Sequence, residues 1–223
     1  MSKIAIIGFG NIVKNNHVAA LQSVGAEIVA ICDIDESARD SARKIFGYSI
    51  EFYTDYEVMI SEKSLDYVLV TLPHHLYYEV VKKCLEKNIN VIKEKPFAMN
   101  YDDAINLSEI ALKSKSKLLT VCQKRYNPAY SELKKLIDIN TDDIKQINIR
   151  YTIPSKKPNS GWRSEHLQAG GGVWMDMGYH LIDLINYLFN NSDVNLAFTS
   201  LINTSPENYD VDDCAYVFLR CMN

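Results

Sequence analysis

The 223-residue chain has no C-x-x-C pair. Its five cysteines (Cys32, Cys84, Cys122, Cys214 and Cys221) are odd in number and widely spaced. This argues against a disulfide framework or a cysteine zinc site, and for a reducing compartment. The histidines form no metal-ligand spacing, so no metal is expected. No apolar run approaches the roughly 18 residues that would suggest a membrane span. The run that follows Met1-Ser2-Lys3, Ile4 to Gly8, is too short for a signal peptide. These absences predict a cytoplasmic protein with no membrane partner. Long basic runs are missing too. Lysine and arginine number 24 against 28 acids, a net charge of −4, which argues against a nucleic-acid partner. There is no internal repeat and no low-complexity linker. What is present, 47% hydrophobic and 23% charged residues, describes a globular chain long enough for one large domain or two small ones.

Up to about residue 122 the chain alternates strand and helix. Strands are predicted at Lys3–Ile7, Glu27–Cys32, Glu51–Tyr53, Asp66–Thr71, Asn90–Ile92 and Lys117–Val121, with helical segments between them. Short connections and near-continuous apolar strands imply a parallel sheet with helices on both faces. Beyond that point the pattern changes. Asn127-Pro128 opens a helix, Ile144–Ile153 alternates like a strand, and Pro154–Gln168 reads as a loop. A glycine run then leads into a helix to about Phe189, and Val194–Asn203 and Val211–Cys221 read as two long strands. The expected architecture is α/β. Residues 1–122 would form a doubly wound Rossmann domain. Residues 123–223 would form an α+β domain with an open, mostly antiparallel sheet.

Three stretches carry chemistry. Gly8-Phe9-Gly10 lies between a strand and a helix, where glycine permits a tight turn and lets a pyrophosphate approach backbone amides. Val13 stands where the fingerprint has its third glycine, and a β-branched side chain there predicts a slight separation of helix and strand. Asp33 ends the second strand, in the position to bind ribose hydroxyls and to repel a 2′-phosphate. This favours NAD over NADP and leaves Asp35 to cap the next helix. The second stretch is Val91-Ile92-Lys93-Glu94-Lys95-Pro96-Phe97, an apolar strand that ends in charges and a proline. Here Lys95 is singled out, Glu94 reads as structural and Lys93 as solvated. The third stretch runs from Ala169 to Asp183. Its three consecutive glycines leave amides unobstructed at a helix start. Asp176 and His180, four apart, share a helical face, and Gly178 implies that something packs close against it. An acid one turn from a histidine makes a tuned proton carrier. A histidine that only ties the helix to its neighbour is the plainer alternative.

Together these stretches, with His17, Pro73-His74-His75 and Arg125-Tyr126-Asn127-Pro128, resemble the glucose-fructose oxidoreductase and inositol dehydrogenase (Gfo/Idh/MocA) family. The resemblance implies an NAD(P)-dependent dehydrogenase acting on a CH–OH carbon of a sugar, cyclitol or related polyol. It implies a cofactor cradle of Gly8, Phe9, Gly10, Asn11, Ile12, Asp33, Thr71, Pro73, His75, Glu94 and Lys95. Lys95, Asp176 and His180 would be catalytic. Lys95, Arg125, Asn127, Trp162, Arg163 and Tyr179 would meet the substrate. In this reading His180 removes the hydroxyl proton, Lys95 steadies the oxygen and Asp176 orients the site. The Lys95-Pro96 bond is cis in some members. A homo-oligomer, dimer or tetramer, is implied through the second domain's sheet. Tyr77 departs from the family, which often has histidine there. Members run on well beyond Asn223, so a fragment or a shortened form is expected. Two other readings stay open: a non-catalytic NAD- or sugar-responsive regulator, and an NAD-dependent glycoside-cleaving enzyme.

Overall fold

The computed structural model describes residues 1–140, 144–154, 160–190 and 193–222. The chain divides into two compact units, Met1–Val121 and Cys122–Asn223.

In the first unit six parallel strands form one sheet: β1 (Lys3–Ile7), β2 (Glu27–Cys32), β3 (Glu51–Tyr53), β4 (Tyr67–Val70), β5 (Asn90–Lys93) and β6 (Leu118–Thr120). Their order is β3-β2-β1-β4-β5-β6. Five helices connect them: α1 (Val18–Ser23), α2 (Glu36–Phe46), α3 (Tyr56–Glu62), α4 (Tyr77–Glu86) and α5 (Tyr101–Lys113). Both faces of the sheet are covered, as the unbroken apolar strands require. The period of two sorts the side chains. Ala5, Ile7, Val68, Val70 and Val91 pack with Met59, Val81, Leu85 and Leu107. Ile6, Ile31 and Leu69 pack with Phe9, Val13, Val18, Ala38 and Ala42 in a separate cluster. Helix starts follow the expected chemistry. Asp35, Asp55 and Asn100 each accept a backbone N–H of the first turn, at 2.8, 2.8 and 2.9 Å.

The chain leaves β1 in one direction and β4 in the other, so the sheet's switch point lies between them. The two strand ends meet there. Thr71 N–H donates to Ile7 O at 2.9 Å, and its hydroxyl donates to Gly8 O at 2.6 Å. Gly8 has φ +86°, and a β-carbon on it would lie 2.4 Å from Thr71 O. Residue 8 is thus glycine for two reasons, its backbone conformation and its closeness to β4.

Lys93 corrects the sequence reading. It is fully buried, with 0% exposure, although its place among charged residues suggested solvent. Its backbone sits between Val70 of β4 and Thr120 of β6. A long aliphatic stem lets the residue occupy a core position while its ammonium finds polar partners.

In the second unit a short turn at Gln123–Tyr126 precedes α6 (Pro128–Asn140), with proline at its first position. The short helix α7 (His166–Ala169) follows, and then α8 (Tyr179–Leu188), entered through a wide helical turn at Trp174–Gly178. Strands β7 (Asp193–Ile202) and β8 (Cys214–Met222) pair antiparallel. Ile137, Leu184 and Leu188 centre a small core with Tyr130, Ile144, Tyr187 and Phe189. The strand expected over Ile144–Ile153 is not formed: residues 144–154 carry no regular structure. Alternation makes a strand only where a neighbour supplies a hydrogen-bond ladder, and among the described residues β7 and β8 pair only with each other. Ile147, Ile149, Tyr151 and Ile153 accordingly lie exposed. Within the expected Pro154–Gln168 loop, residues 155–159 fall outside the described residues, and Gly161–Ser164 forms a short turn.

Two stability measurements follow. By urea unfolding, Gly8→Ala costs about 2–4 kcal/mol. Gly10→Ala, whose added methyl meets nothing within 4 Å, costs less than about 1 kcal/mol. Burial pushes the pKa of Lys93 down to about 7, with Glu94 opposing. Between about pH 7 and the ordinary lysine range the unfolded chain therefore binds more protons than the folded one, and stability rises with pH. Relative to Lys93→Met, the wild type gains about 1 kcal/mol per pH unit from pH 7 to 9. A pH-independent difference between the two proteins would refute the assignment.

Candidate functional site

Gly10, Asn11 and Ile12 are exposed at the C-terminal end of β1, where a helical turn begins. First-turn amides have no intrahelical acceptor and carry the positive end of the helix dipole, which suits a phosphate. The Phe9 side chain turns inward, buried against Phe46 with ring centroids 6.1 Å apart. Val13 is also completely buried in this core, and the helix opens with a wide turn over Val13–His17 before α1 begins. Asp33 is half-buried at the end of β2. One carboxylate oxygen accepts Phe9 N–H at 2.7 Å and the other accepts Asp35 N–H at 2.9 Å. Asp33 therefore braces the glycine loop, while Asp35 alone caps α2. The Phe9 amide is occupied by the protein itself. Thr71 is held in the same loop through Gly8 O, followed by Pro73, buried His74 and exposed His75.

One strand further along the sheet, β5 runs into Glu94-Lys95-Pro96, and the Lys95-Pro96 peptide is cis. Glu94 N–H donates to Val70 O at 3.0 Å. The Glu94 carboxylate meets His17 Nε2 at 2.8 Å and accepts Lys95 N–H at 3.3 Å. Burial raises the Glu94 pKa, but the contacts with His17 and the Lys95 backbone outweigh it and leave the carboxyl below its ordinary value. His17 lies in the wide turn after the glycine loop, so this pair ties that loop to the lysine segment. Lys95 itself is half-buried. Within the first unit, then, the glycine loop, Asp33, Thr71 and Lys95 all follow the C-terminal ends of strands, where α/β sheets bind ligands.

In the second unit the glycine run differs from expectation. Its amides are not left open: Gly172 and Trp174 N–H donate to the two carboxylate oxygens of Asp212 at 2.8 Å each, and Val173 N–H donates to Asp212 O at 2.8 Å. A β-carbon on Gly172 would lie 1.7 Å from that Asp212 carbonyl oxygen. Glycine serves here for close approach of the chain to Asp212, and three amides fasten the helix start. The packing expected at Gly178 is present, because an added β-carbon would sit 2.2 Å from the Trp174 ring. Asp176 is half-buried inside the wide turn, and His180 is buried in the first turn of α8. The wide turn means that 3.6-residue periodicity does not set their relative direction.

The proposed substrate residues divide. Arg125 donates from Nε and from a terminal nitrogen to Asp183, with Nε contacts of 3.0 and 2.9 Å. The bond to Asp183 raises the arginine's already high pKa. Arg125 thus anchors the Gln123–Tyr126 turn to α8. Asn127 accepts Ala129 N–H at 2.9 Å and caps α6. Arg163 stacks 4.2 Å from the Trp162 ring centre. The Tyr179 hydroxyl lies 4.0 Å from Cys122 Sγ. Burial, then Asp183, pushes the Cys122 thiol up to about 11, so it is held as a neutral thiol. Sequence reasoning missed Asp183 and Asp212. Asp212 lies in the stretch Asp210-Val211-Asp212-Asp213 before β8, and Asp183 lies within the sequence of α8.

No helix among the described residues is long and apolar enough to cross a membrane. Comparison with known proteins matches residues 2–123 to the oxidoreductase family with an NAD-binding Rossmann fold, and residues 130–223 to the GFO/IDH/MocA C-terminal domain. Glucose-6-phosphate 3-dehydrogenase of Bacillus subtilis is 28% identical over all of this chain and 65% of its own length. Trans-1,2-dihydrobenzene-1,2-diol dehydrogenase of Xenopus tropicalis is 28% identical over 80% of this chain and 54% of its own. The chain spans about half to two thirds of the curated relatives it matches. Among solved structures, the WlbA dehydrogenase of Chromobacterium violaceum, in complex with NADH and UDP-GlcNAcA, is 26% identical with a TM-score of 0.86, covering 99% of this chain and 64% of that one. With both units matched in order, the chain belongs to the Gfo/Idh/MocA family of oxidoreductases, and its first unit is that family's NAD-binding Rossmann fold.

Proposed function

We propose that this chain is the working part of an NAD-dependent dehydrogenase that oxidises a CH–OH group of a sugar, cyclitol or related polyol. The observation that carries the reading is the first unit's geometry. A glycine loop at the switch point, a carboxylate at the end of the adjacent strand and Lys95 at the end of β5 all open on one edge of the sheet. The cradle suits a dinucleotide. Residue 10 has open space where a β-carbon would stand, and Asp33 keeps acceptor capacity for ribose hydroxyls. A fixed carboxylate there repels a 2′-phosphate, which supports NAD rather than NADP. The relatives named above, with sugar and diol names, support the substrate class.

NAD, when bound, supplies the hydride acceptor. Lys95 donates a hydrogen bond to the reacting oxygen and stabilises the charge that develops there. His180 takes the hydroxyl proton, and Asp176 orients the site. Gly8, Phe9, Asn11, Ile12, Thr71, Pro73, His75 and Glu94 shape the cofactor side. Trp162, Arg163 and Tyr179 are the residues of the second unit proposed to meet the polyol, while Arg125 is bonded to Asp183 and Asn127 caps α6. A cytoplasmic setting fits the four free cysteines among the described residues. Leu196, Phe198, Tyr216 and Phe218 lie exposed on β7 and β8, which supports a homodimer or homotetramer formed through this sheet.

Three experiments test these readings. In an NADH fluorescence titration the wild type binds saturably, and Asp33→Ala weakens binding by about 10–100-fold. Against a panel of sugars, sugar phosphates and cyclitols, Lys95→Ala loses at least about 100-fold of NADH formation while its NADH affinity stays within about threefold of wild type. Wild-type turnover in that variant overturns the mechanism. Size-exclusion chromatography with light scattering is expected to give a dimer or tetramer, and Phe198→Asp a monomer. A monomeric wild type would sink the assembly proposal.

A further inference from the structure

Lys93 has no part in the roles assigned above, yet it is the most completely buried charged residue described. Its Nζ donates to Pro96 O at 2.5 Å and to Phe97 O at 2.8 Å. It also lies 3.9 Å from the ring centre of Tyr77, the first residue of α4, and 5.9 Å from that of Phe97. A buried ammonium is costly unless its N–H groups are matched by acceptors. Here two carbonyls and an aromatic face meet the Lys93 nitrogen. The carbonyls belong to the segment after β5, which has left the strand ladder and has no regular structure of its own. Buried backbone acceptors need partners, and the Lys93 side chain supplies them. Its own backbone is fixed in the middle of the sheet, since Val121 N–H donates to Lys93 O at 2.9 Å. The segment so held is the one that carries Lys95.

We propose that Lys93 is a positioning residue: its Nζ, seated against Tyr77, donates to the carbonyls of Pro96 and Phe97 and so fixes the turn that presents Lys95. The catalytic consequence rests on the reading of Lys95 given above, whereas the gripping of the turn does not. Nearby, the Glu94–His17 contact holds the same segment from the glycine-loop side. Lys93 and His17 thus restrain the turn on either flank of Lys95. A methionine at 93 would fill the same space but leave both carbonyls without a donor.

The test uses hydrogen exchange read by mass spectrometry, alongside NADH binding and turnover. In Lys93→Met the peptide covering Lys95 to Met99 exchanges about tenfold faster, while peptides of β1 and β4 keep wild-type rates. NADH affinity stays within about threefold. With a substrate found in the panel above, kcat falls about 30-fold and KM changes by less than about threefold, since a loosened turn costs alignment more than binding. Tyr77→Leu, which keeps the lysine and removes its ring, speeds exchange in the same peptide. It decides the matter if Lys93→Met does not fold. Wild-type exchange at 95–99 in the variant that folds overturns the proposal. So does faster exchange across the whole sheet, or a kcat that is unchanged despite a loosened turn. If the wild type turns over none of the panel, the dehydrogenase reading fails by itself, and the exchange data still decide whether Lys93 holds the turn.

Discussion

The approach of two strand ends at the sheet's switch point sets the arrangement of the whole first unit. The turn after β1 and the turn after β4 come so close that residue 8 has no room for a side chain, and Thr71 bonds both Ile7 and Gly8 across the gap. That closeness aims the glycine loop outward. It also puts the next strand, β5, within reach, so that Glu94 can bond Val70 with its backbone and His17 with its carboxylate. The buried runs of β1 and β4 hold the two ends in register, and in this sense hydrophobic packing places the polar site.

Both units use the same device to stiffen a glycine-containing turn. A single aspartate at a strand terminus accepts backbone N–H groups from a glycine-containing turn elsewhere in the chain. Asp33 does this for Phe9, and Asp212 does it for Gly172 and Trp174. A carboxylate is well suited, because it brings about four acceptor positions on one short side chain, and its charge strengthens each bond. Lys93 is the donor counterpart, donating to carbonyls where the aspartates accept from amides.

Much of this was legible in the sequence. Alternating apolar strands and helical segments gave the parallel sheet, and Gly8-Phe9-Gly10 between a strand and a helix marked a tight turn after its first strand. Asp35 was readable as a cap because capping depends on the nearest three residues. Gly178 pointed to a close neighbour, although not to Trp174 in particular. What escaped notice depends on partners far along the chain. Lys93 looked solvated because its neighbours are charged, and only the folded turn reveals two carbonyls over a core position. Asp212 lies forty residues from the amides it binds, and no local pattern records such a pairing. The strand read into Ile144–Ile153 failed for the same reason. Alternation gives a side-chain pattern, but a ladder also needs a neighbour.

Asp33 is already half spent. Of roughly four acceptor positions on its carboxylate, Phe9 and Asp35 each fill one, on different oxygens. Two remain, one per oxygen. A vicinal diol presents two donors, which matches that remainder in number. The bonds Asp33 accepts from its own chain thus set how many further hydroxyls it could serve.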